Sequence, residues 1–365
     1  MLRERLIVLA LVGLGLALTG LVAWGGLSPG GADAVVVSAT PASGQLRIVW
    51  AGDTMIGDAS QAFVDRHGYD AVFAHVKDLL HGDVVVVNAE GPITTIDSPY
   101  TPTKDYTYRS DPQTALAFAG AGITALSLAN NHAMDQGPAG LADTVKYAGE
   151  AGLATFGAGQ NDGEAERTLI IRTGDVTIGV VALAKPYGTH VSAGRTRAGT
   201  IPFSQASIDR GYSLARDAGA DYVVAFVHWG ENYQALNAEQ RQLAASFADA
   251  GYDLVIGSGP HVVHPIEIIG KTTVFYSLGN FVFGTSGRFT SDMPGYGLVL
   301  TTRFAEDGVK AIGLTCIKTD NDAVDFQPRP APADEAAQVF ASLGVPLTVN
   351  GANATLILDD PAAGQ

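Results

Sequence analysis

The chain has 365 residues, which is enough for one large domain or for a domain with an appendage. Its formal net charge of −15 excludes nonspecific binding to DNA or RNA, because such binding needs cationic side chains that neutralise phosphates. Cys316 is the single cysteine of the sequence, so an intramolecular disulfide and a cysteine-based metal site are also excluded. Any metal ligands must therefore be imidazole, carboxylate or amide groups.

Residues 1–26 predict a signal or membrane anchor. Charged residues at positions 3–5 precede an apolar run over 6–24, which is long enough to span a hydrocarbon core about 30 Å thick. The Ala-Asp-Ala motif at 32–34 resembles a cleavage site, so the segment is either removed or retained as a single anchor. A buried globular helix is the alternative. Residues 27–45 are predicted to be a linker, and the protein is expected outside the cytoplasm, attached to the cell membrane or secreted after cleavage.

The rest of the chain first alternates strands with helices and then continues with strands alone. Strands are predicted at 46–50, 84–87, 123–128, 222–227 and 254–256, a hairpin at 169–171 and 176–182, and helices at 61–80, 112–119, 138–149, 204–218 and 238–250. Further strands are predicted at 263–269, 273–276, 297–304 and 309–318. This order indicates two sheets packed face to face with helices outside, in a domain over 46–320. A C-terminal extension, 321–365, is predicted to pack on this domain through a helix near 333–343 and a strand near 354–358.

Polar residues stand where several of these predicted strands end. They are Asp53 in RIVWAGD, Glu90 in DVVVVNAE, Asn131 and His132 in LSLANNH, His228 in YVVAFVH, and His261 and His264 in GSGPHVVH. Ligand-binding groups gather outside the carboxyl ends of the strands in an open α/β sheet. Each residue alone has a structural interpretation, as a turn cap, an ion pair or a buried histidine. Together they predict a divalent metal centre, and imidazole with carboxylate suits Mn, Fe or Zn.

Six segments in chain order resemble the successive motifs of the CapA family of poly-γ-glutamate capsule biosynthesis proteins. They are AGDTMIGD, VVNAEGPIT, LANNHAMDQG, FVHWGENY, GSGPHVVHPIE and YSLGNFVF, and the resemblance covers about residues 48–304. That family is related to the calcineurin-like metallophosphoesterases. The resemblance implies a four-layer α/β/β/α sandwich of the metallophosphoesterase type and membrane attachment in bacteria. It also implies a role in making, anchoring or releasing an anionic γ-glutamyl polymer.

The resemblance also implies roles for individual residues. The metal ligands carried over are Asp53, Glu90, Asn131, His228, His261 and His264. His132 corresponds to the histidine that protonates a leaving group without binding metal. Asp135, three residues later, is predicted to orient the His132 imidazole. Asn280 in YSLGNF is predicted either to support the ligands from behind or to be a turn residue.

Two departures from the phosphoesterase pattern bear on the number of metal ions. The first motif carries Met55 where the related enzymes have a histidine, so one of the two usual metal positions has lost a nitrogen. The last motif has the spacing His261-x-x-His264 in place of His-x-His, which on a strand would point the rings to opposite faces. Either one ring lies in the turn of Ser258-Gly259-Pro260, or only one is a ligand. We therefore expect one or two ions.

An anionic substrate needs cations in a chain that is otherwise acidic. Basic and aromatic residues in the loops are the candidates for substrate binding, and solvated surface charge is the alternative for each. They are Lys104, Arg109, Lys185 and Tyr187, with Arg195, Arg197, Arg288, Tyr106 and Tyr108 as further candidates.

Two functional hypotheses follow from the sequence. The first is an extracytoplasmic hydrolase in which a metal-activated water attacks a phosphoester, or an amide or ester of the polymer, with His132 as general acid. The second is a membrane-anchored, non-catalytic accessory subunit that binds the nascent polymer or a synthase complex. Met55 favours the second hypothesis, whereas the Asn131-His132 pair favours the first.

Overall fold

The computed structural model describes residues 34–41 and 44–356. The predicted anchor and the first part of the predicted linker lie outside the described residues. Within the part that is described, no helix combines the length and the apolar character that crossing a membrane requires.

The described residues form short strands and helices throughout. The strands are β1 (Val35–Ser38), β2 (Leu46–Met55), β3 (Val84–Ala89), β4 (Ala125–Ser127), β5 (Ala154–Phe156), β6 (Ala158–Gly159), β7 (Leu169–Arg172), β8 (Thr177–Ala184), β9 (Gly199–Thr200), β10 (Tyr222–His228), β11 (Leu254–Ser258), β12 (Ile266–Ile269), β13 (Thr272–Phe275), β14 (Asn280–Phe283), β15 (Tyr296–Ala305), β16 (Gly308–Lys318), β17 (Arg329–Pro330), β18 (Thr348–Asn350) and β19 (Asn353–Leu356). The α-helices are α1 (Gln61–His67), α2 (Gln113–Ala121), α3 (Gly137–Glu150), α4 (Asp162–Ala165), α5 (Gln205–Asp217), α6 (Ala238–Ala250), α7 (Asn321–Val324) and α8 (Ala333–Ala341).

Most of the strands belong to two sheets. Sheet A has the order β1-β7-β8-β10-β11-β13-β12, and its strands β8, β10, β11 and β13 run parallel. Sheet B has the order β18-β19-β16-β15-β2-β3-β4-β5, with β14 beside β2 and β17 beside β16. Strands β2, β3, β4, β5 and β14 of sheet B are parallel to their neighbours in this group. The parallel strands bring polar residues at their carboxyl ends to one edge of each sheet.

Three apolar clusters separate four layers. Between the sheets, Trp50 of β2 stacks on Phe226 of β10 with ring centroids 6.0 Å apart. The other face of sheet B packs against α1, α2 and α3, with Phe118 as a large buried member. The other face of sheet A packs against α5 and α6 around Phe247 and Tyr252. The predicted four-layer α/β/β/α sandwich is therefore confirmed.

The structure contains several short elements that were not predicted, such as β5 and β14, and it corrects two predictions. The region predicted as a linker contains β1, which pairs in parallel with β7 from Val35–Leu169 to Ser38–Arg172. Its three consecutive valines are β-branched, a composition that suits a strand at the edge of a sheet. The helix predicted over 61–80 ends at His67, because Gly68 adopts a φ of 85° and short 3-10 turns follow. At the other end of the chain, α8 and β19 lie where a helix and a strand were predicted, and β19 pairs with β16.

A close approach of two backbones positions Asp53. A Cβ on Gly52 would lie 1.9 Å from the carbonyl oxygen of Gly279, and the same oxygen accepts a hydrogen bond from the Asp53 N–H at 3.1 Å.

We expect Gly52→Ala to lower the free energy of unfolding by about 3 kcal/mol, the upper end of the usual cost of overpacking, as measured by urea denaturation. Gly149→Ala is the control, because no atom lies within 4 Å of a Cβ there and alanine favours α3 by about 0.5–1 kcal/mol. Equal unfolding midpoints for the two variants would contradict the close approach.

Candidate metal centre

Four strands deliver the central residues of the site. Asp53 lies within β2, and Glu90 directly follows β3. His228 is the last residue of β10, and His261 lies in the loop after β11 with a left-handed φ of 61°. Because β2 and β3 belong to sheet B whereas β10 and β11 belong to sheet A, the site lies where the carboxyl edges of the two sheets meet.

Glu90 lies at the middle of this group. Its Oε1 atom is buried and has no hydrogen-bond partner among the described residues. The Nε2 atoms of three buried histidines lie 3.8–3.9 Å from it, those of His132, His228 and His261. These distances are too long for hydrogen bonds, but two ligand atoms that each lie about 2.0–2.2 Å from one ion are at most about 4.4 Å apart. The arrangement therefore fits a metal ion shared by Glu90 with His228 and His261.

Asp53 is held rigidly beside Glu90. Both of its carboxylate oxygens accept hydrogen bonds from the Gly259 N–H, at 3.1 and 3.2 Å, and Oδ1 accepts another from Asn88 Nδ2 at 2.8 Å. Its Oδ2 atom lies 3.2 Å from His261 Nδ1. Asp53, Glu90 and His261 offer ligand atoms that all lie within 4.8 Å of one another. This buried carboxylate–carboxylate–imidazole set is suited to a divalent transition-metal ion.

The pKa values of the group show how strongly burial acts on it. Burial and the charge of Asp53 raise the pKa of Glu90 well above its ordinary value. Burial also opposes ionisation of Asp53, but a hydrogen bond from His261 and the charges of His261 and His228 outweigh it and lower the pKa of Asp53. Burial lowers the pKa of His228 to about 3. At His261 burial is outweighed by Glu90 and Asp53, which raise its pKa to about 9. Two buried carboxylates this close together would gain from a bound cation that compensates their charge.

His132 forms a second unit at the edge of this group. Its Nδ1 lies 2.6 Å from Asp135 Oδ2, so we assign the Nδ1 proton to that contact, and its Nε2 lies on the side of Glu90. Lys104 Nζ lies 2.5 Å from Asp135 Oδ1 and donates to the Asn131 carbonyl at 2.9 Å. Burial lowers the pKa of His132 to about 4, partly offset by Asp135. The pair therefore has the geometry of an oriented proton-transfer group.

Comparison with known proteins places the chain in a family. Residues 47–285 match the family described as "Bacterial capsule synthesis protein PGA_cap". The chain belongs to the PGA_cap family. It is 32% identical over 244 residues to the PGA biosynthesis protein CapA of Bacillus subtilis, covering 66% of this chain and 64% of that protein. It is also 32% identical over 255 residues to the capsule biosynthesis protein CapA of Bacillus anthracis, covering 68% of this chain and 62% of that protein. The chain thus matches less than two thirds of the length of either relative.

Among solved structures, the PGA_cap chain is similar to the calcineurin-like phosphoesterase YfkN from Bacillus subtilis. The TM-score is 0.39 at 13% identity, and the superposition covers 79% of this chain and 89% of that one.

Asn131 and His264 are the remaining predicted ligands of this PGA_cap protein, and the structure places them differently. Asn131 has a buried side-chain Oδ1 without a hydrogen-bond partner among the described residues, and it lines the cavity beside His132. His264 does not join the group around Glu90. Its Nε2 lies 2.9 Å from the carbonyl oxygen of Gln234, on the loop after β10. The His261-x-x-His264 spacing therefore places only the first ring beside the carboxylates.

Two amides support the group from behind. Asn280 Oδ1 lies 2.9 Å from His261 Nδ1, so it orients that ring. Asn88 was missed by the sequence analysis, although it alternates with Glu90 at the end of β3 and so shares its face. Its Nδ2 contacts Asp53, Glu90 and His228, at 2.8, 3.4 and 3.3 Å. The sequence feature that could have revealed Asn88 is its position two residues before Glu90, on the same face of the strand.

A cavity of about 230 Å³ opens onto His132 and His261. Of the cationic candidates for substrate binding, Lys104 and Arg288 line it, and Arg195 is not among its lining residues. Three others have partners elsewhere: Arg109 forms an ion pair with Asp97 at 3.6 Å, Lys185 with Glu231, and Arg197 Nε donates to the Ser192 carbonyl. Tyr187 is half-buried, with its ring 6.1 Å from that of His228, and burial raises its pKa well above the ordinary value.

Proposed function

We propose that this PGA_cap protein is an extracytoplasmic, metal-dependent hydrolase that acts on an anionic γ-glutamyl polymer or on a phosphoester. One observation carries the proposal. The buried Oε1 of Glu90, which has no hydrogen-bond partner among the described residues, lies among three imidazoles, and one of these, His132, is held by its own carboxylate, Asp135. A site that only binds metal for structural reasons has no need of an oriented histidine–carboxylate pair beside the ligands.

The chain offers a consistent set of ligands for Mn, Fe or Zn. Asp53, Glu90 and His261 would hold the ion together with His228, and Asn131 Oδ1, which has no partner in the described part of the chain, would add an amide oxygen. A divalent ion bound there supplies Lewis-acid polarisation of the scissile bond and lowers the pKa of a water molecule. Asn280 and Asn88 keep the ligands in place through their contacts with His261 and Asp53.

The residues of the chain itself would then divide the remaining work. In its doubly protonated form, which the Asp135 carboxylate stabilises, His132 gives its Nε2 proton to the leaving group and keeps the Nδ1 proton on the side of Asp135. Lys104 neutralises Asp135 and fixes the segment that carries Asn131 and His132. Tyr108 donates its backbone N–H to Asp135 at 2.7 Å and covers the His132 ring at a centroid distance of 4.2 Å, which limits access of water.

The biological setting is part of the proposal. Support for a γ-glutamyl polymer comes from the relatives named as PGA and capsule biosynthesis proteins. Support for membrane attachment comes from the apolar run over residues 6–24. With such an anchor, the protein would work next to a membrane synthase complex that makes or exports the polymer.

The direct test uses the full chain purified in detergent. Elemental analysis should find a bound divalent metal, and addition of Mn should allow hydrolysis of poly-γ-glutamate or of a generic phosphodiester, with loss of activity in chelator. A folded protein that binds no metal and hydrolyses neither substrate would contradict the proposal.

A second function, that of a non-catalytic accessory subunit, is favoured by Met55. Its side chain is buried in a small apolar cluster with Tyr108 and Phe283, which borders His132 and His261. The position at which the resemblance implies a metal-binding nitrogen is therefore packed with apolar groups. A reduced metal site of this kind would suit a subunit that binds carboxylates without cleaving a bond.

Met55→His tests how far this packing limits the metal content. We expect the wild-type chain to hold one ion tightly and the variant to raise the occupancy of a second position, measured by elemental analysis after dialysis. Without metal the variant should lose about 1–3 kcal/mol of stability, because a buried imidazole lacks a hydrogen-bond partner, and added metal should restore it. Met134→His, at a buried methionine in the cluster under the helices, should lose stability without gaining metal. Two ions retained by the wild-type chain against a chelator would contradict this explanation.

A further inference from the structure

We propose that Arg288 binds a carboxylate of the substrate next to the bond that reacts, and so makes the cavity selective for a chain of carboxylates. This inference rests on the proposed function and assigns the substrate-recognition residue of the same site. Arg288 lies beyond residue 285, where the match to the PGA_cap family ends. Its role must therefore be argued from the contacts of this chain.

Arg288 is held by aromatic rings and leaves its hydrogen-bond donors free. Its guanidinium carbon lies over the Tyr106 ring at 5.5 Å and over the Tyr233 ring at 4.8 Å. The guanidinium forms no ion pair and no hydrogen bond with another residue in the described part of the chain. Contact with rings uses the faces of a guanidinium, whereas its five N–H donors point outward in its plane. That planar fork matches the two oxygens of a carboxylate.

The other charged groups of the cavity do not compete for this role. Lys104 is already paired with Asp135, and it also donates to the Asn131 carbonyl. Asp105 is the acidic residue that lines the cavity, and it forms no ion pair with Arg288 in the described structure. In a chain with a net charge of −15, an anionic polymer needs a local cation. Arg288 is the cation of this cavity whose charge has no carboxylate partner within the described residues.

Tyr233 connects Arg288 to the metal-binding group. Its ring lies 5.3 Å from that of His261, and its backbone N–H donates to the Pro260 carbonyl at 2.8 Å. Tyr233 has a φ of 58°, a left-handed conformation that is unfavourable for a residue other than glycine. Strained residues of this kind cluster at functional sites, where the surrounding structure holds them in place. The strained loop fixes the ring that lies between Arg288 and His261, so the guanidinium is kept beside the reacting group.

The cavity therefore recognises the substrate at two points. The bond that reacts lies against the group formed by Glu90, His132 and His261, and a neighbouring carboxylate of the polymer lies on Arg288. A neutral polymer of similar backbone lacks the second contact and is bound weakly.

The test measures binding to the full chain in detergent with chelator present, so that hydrolysis does not interfere. The probes are poly-γ-glutamate, neutral polyglutamine and polyphosphate. Arg288→Gln should weaken binding of poly-γ-glutamate about 10–100-fold, since it removes a charged hydrogen-bonding group, and Arg288→Lys should restore only part of the affinity. Arg241→Gln is the matched control, because Arg241 also lies over a tyrosine ring, that of Tyr276, but is paired with Glu267 at 2.8 Å. It should bind as the wild type does.

Three results would overturn the assignment. They are unchanged affinity in Arg288→Gln, an equal loss in Arg241→Gln, and Arg288-dependent binding of polyphosphate in preference to poly-γ-glutamate. Polyglutamine should bind weakly to every variant.

Failure of the hydrolase proposal is recognised separately, because it appears as absent metal or absent turnover, whereas these affinities are measured without metal. If the chain does hydrolyse the polymer, Arg288→Gln should raise KM for the polymer by a larger factor than it lowers kcat.

Discussion

His132→Ala is expected to lower turnover by about 10²–10⁴-fold, which is the usual contribution of general acid–base catalysis. The reason is the geometry of the pair, in which Asp135 Oδ2 lies 2.6 Å from Nδ1 and the Nε2 side is directed to Glu90. Metal content should remain at the wild-type level, because Asp53, Glu90, His228 and His261 are intact. Steady-state kinetics and elemental analysis on the same preparation measure both quantities.

The substrate and added imidazole separate catalysis from a structural role. The loss should be smaller for substrates whose leaving groups need no proton, and imidazole in solution should restore part of the turnover of His132→Ala. Asp135→Asn should also reduce turnover, because the ring loses the carboxylate that stabilises its charged form. His81→Ala is the control, since the His81 side chain is exposed and lies 3.7 Å from Asp78, which is not part of the site. If His132→Ala strips the metal, then His132 is a ligand; if every activity is unchanged, the accessory function is favoured.

The sequence predicted the convergence of Asp53, Glu90, His228 and His261 in part because strand direction brings the first two to one edge of sheet B and the last two to one edge of sheet A. Each residue stands at or near the end of a parallel strand, and all parallel strands of one sheet end at the same edge. The four layers were predictable for a similar reason, from the order of helices and strands. Helix ends were less predictable, as at Gly68, where a single left-handed residue ends α1.

Other features depend on contacts between segments far apart in the chain. Spacing alone did not tell which of His261 and His264 faces the carboxylates, because His261 lies in a left-handed loop rather than on a strand. Lys104 was predicted to bind substrate, yet it pairs with Asp135, which is 31 residues away in sequence. The free guanidinium of Arg288 likewise results from two rings, Tyr106 and Tyr233, supplied by distant loops. Such pairings are decided by tertiary packing and leave no local pattern.

His261→Ala and His264→Ala should separate the two histidines of the last motif. We expect His261→Ala to lose the metal, because its ring lies 3.2 Å from Asp53 and 3.8 Å from Glu90. The increase in melting temperature on metal addition should disappear with it. A ligand present at 100 times its Kd stabilises the folded state by about 2.7 kcal/mol, and this gain requires the binding site.

His264→Ala should instead keep the metal and lose stability. The His264 ring is buried and its Nε2 lies 2.9 Å from the Gln234 carbonyl, so the variant loses this hydrogen bond at a cost of about 0.5–1.5 kcal/mol. Its melting temperature should fall in chelator but still rise when Mn is added. The Nδ1 atom of His264 is buried without a partner among the described residues, so it is the atom through which His264 could bind the metal. If His264→Ala loses the metal as completely as His261→Ala does, then this nitrogen reaches the ion and the ligand set is larger than the group around Glu90.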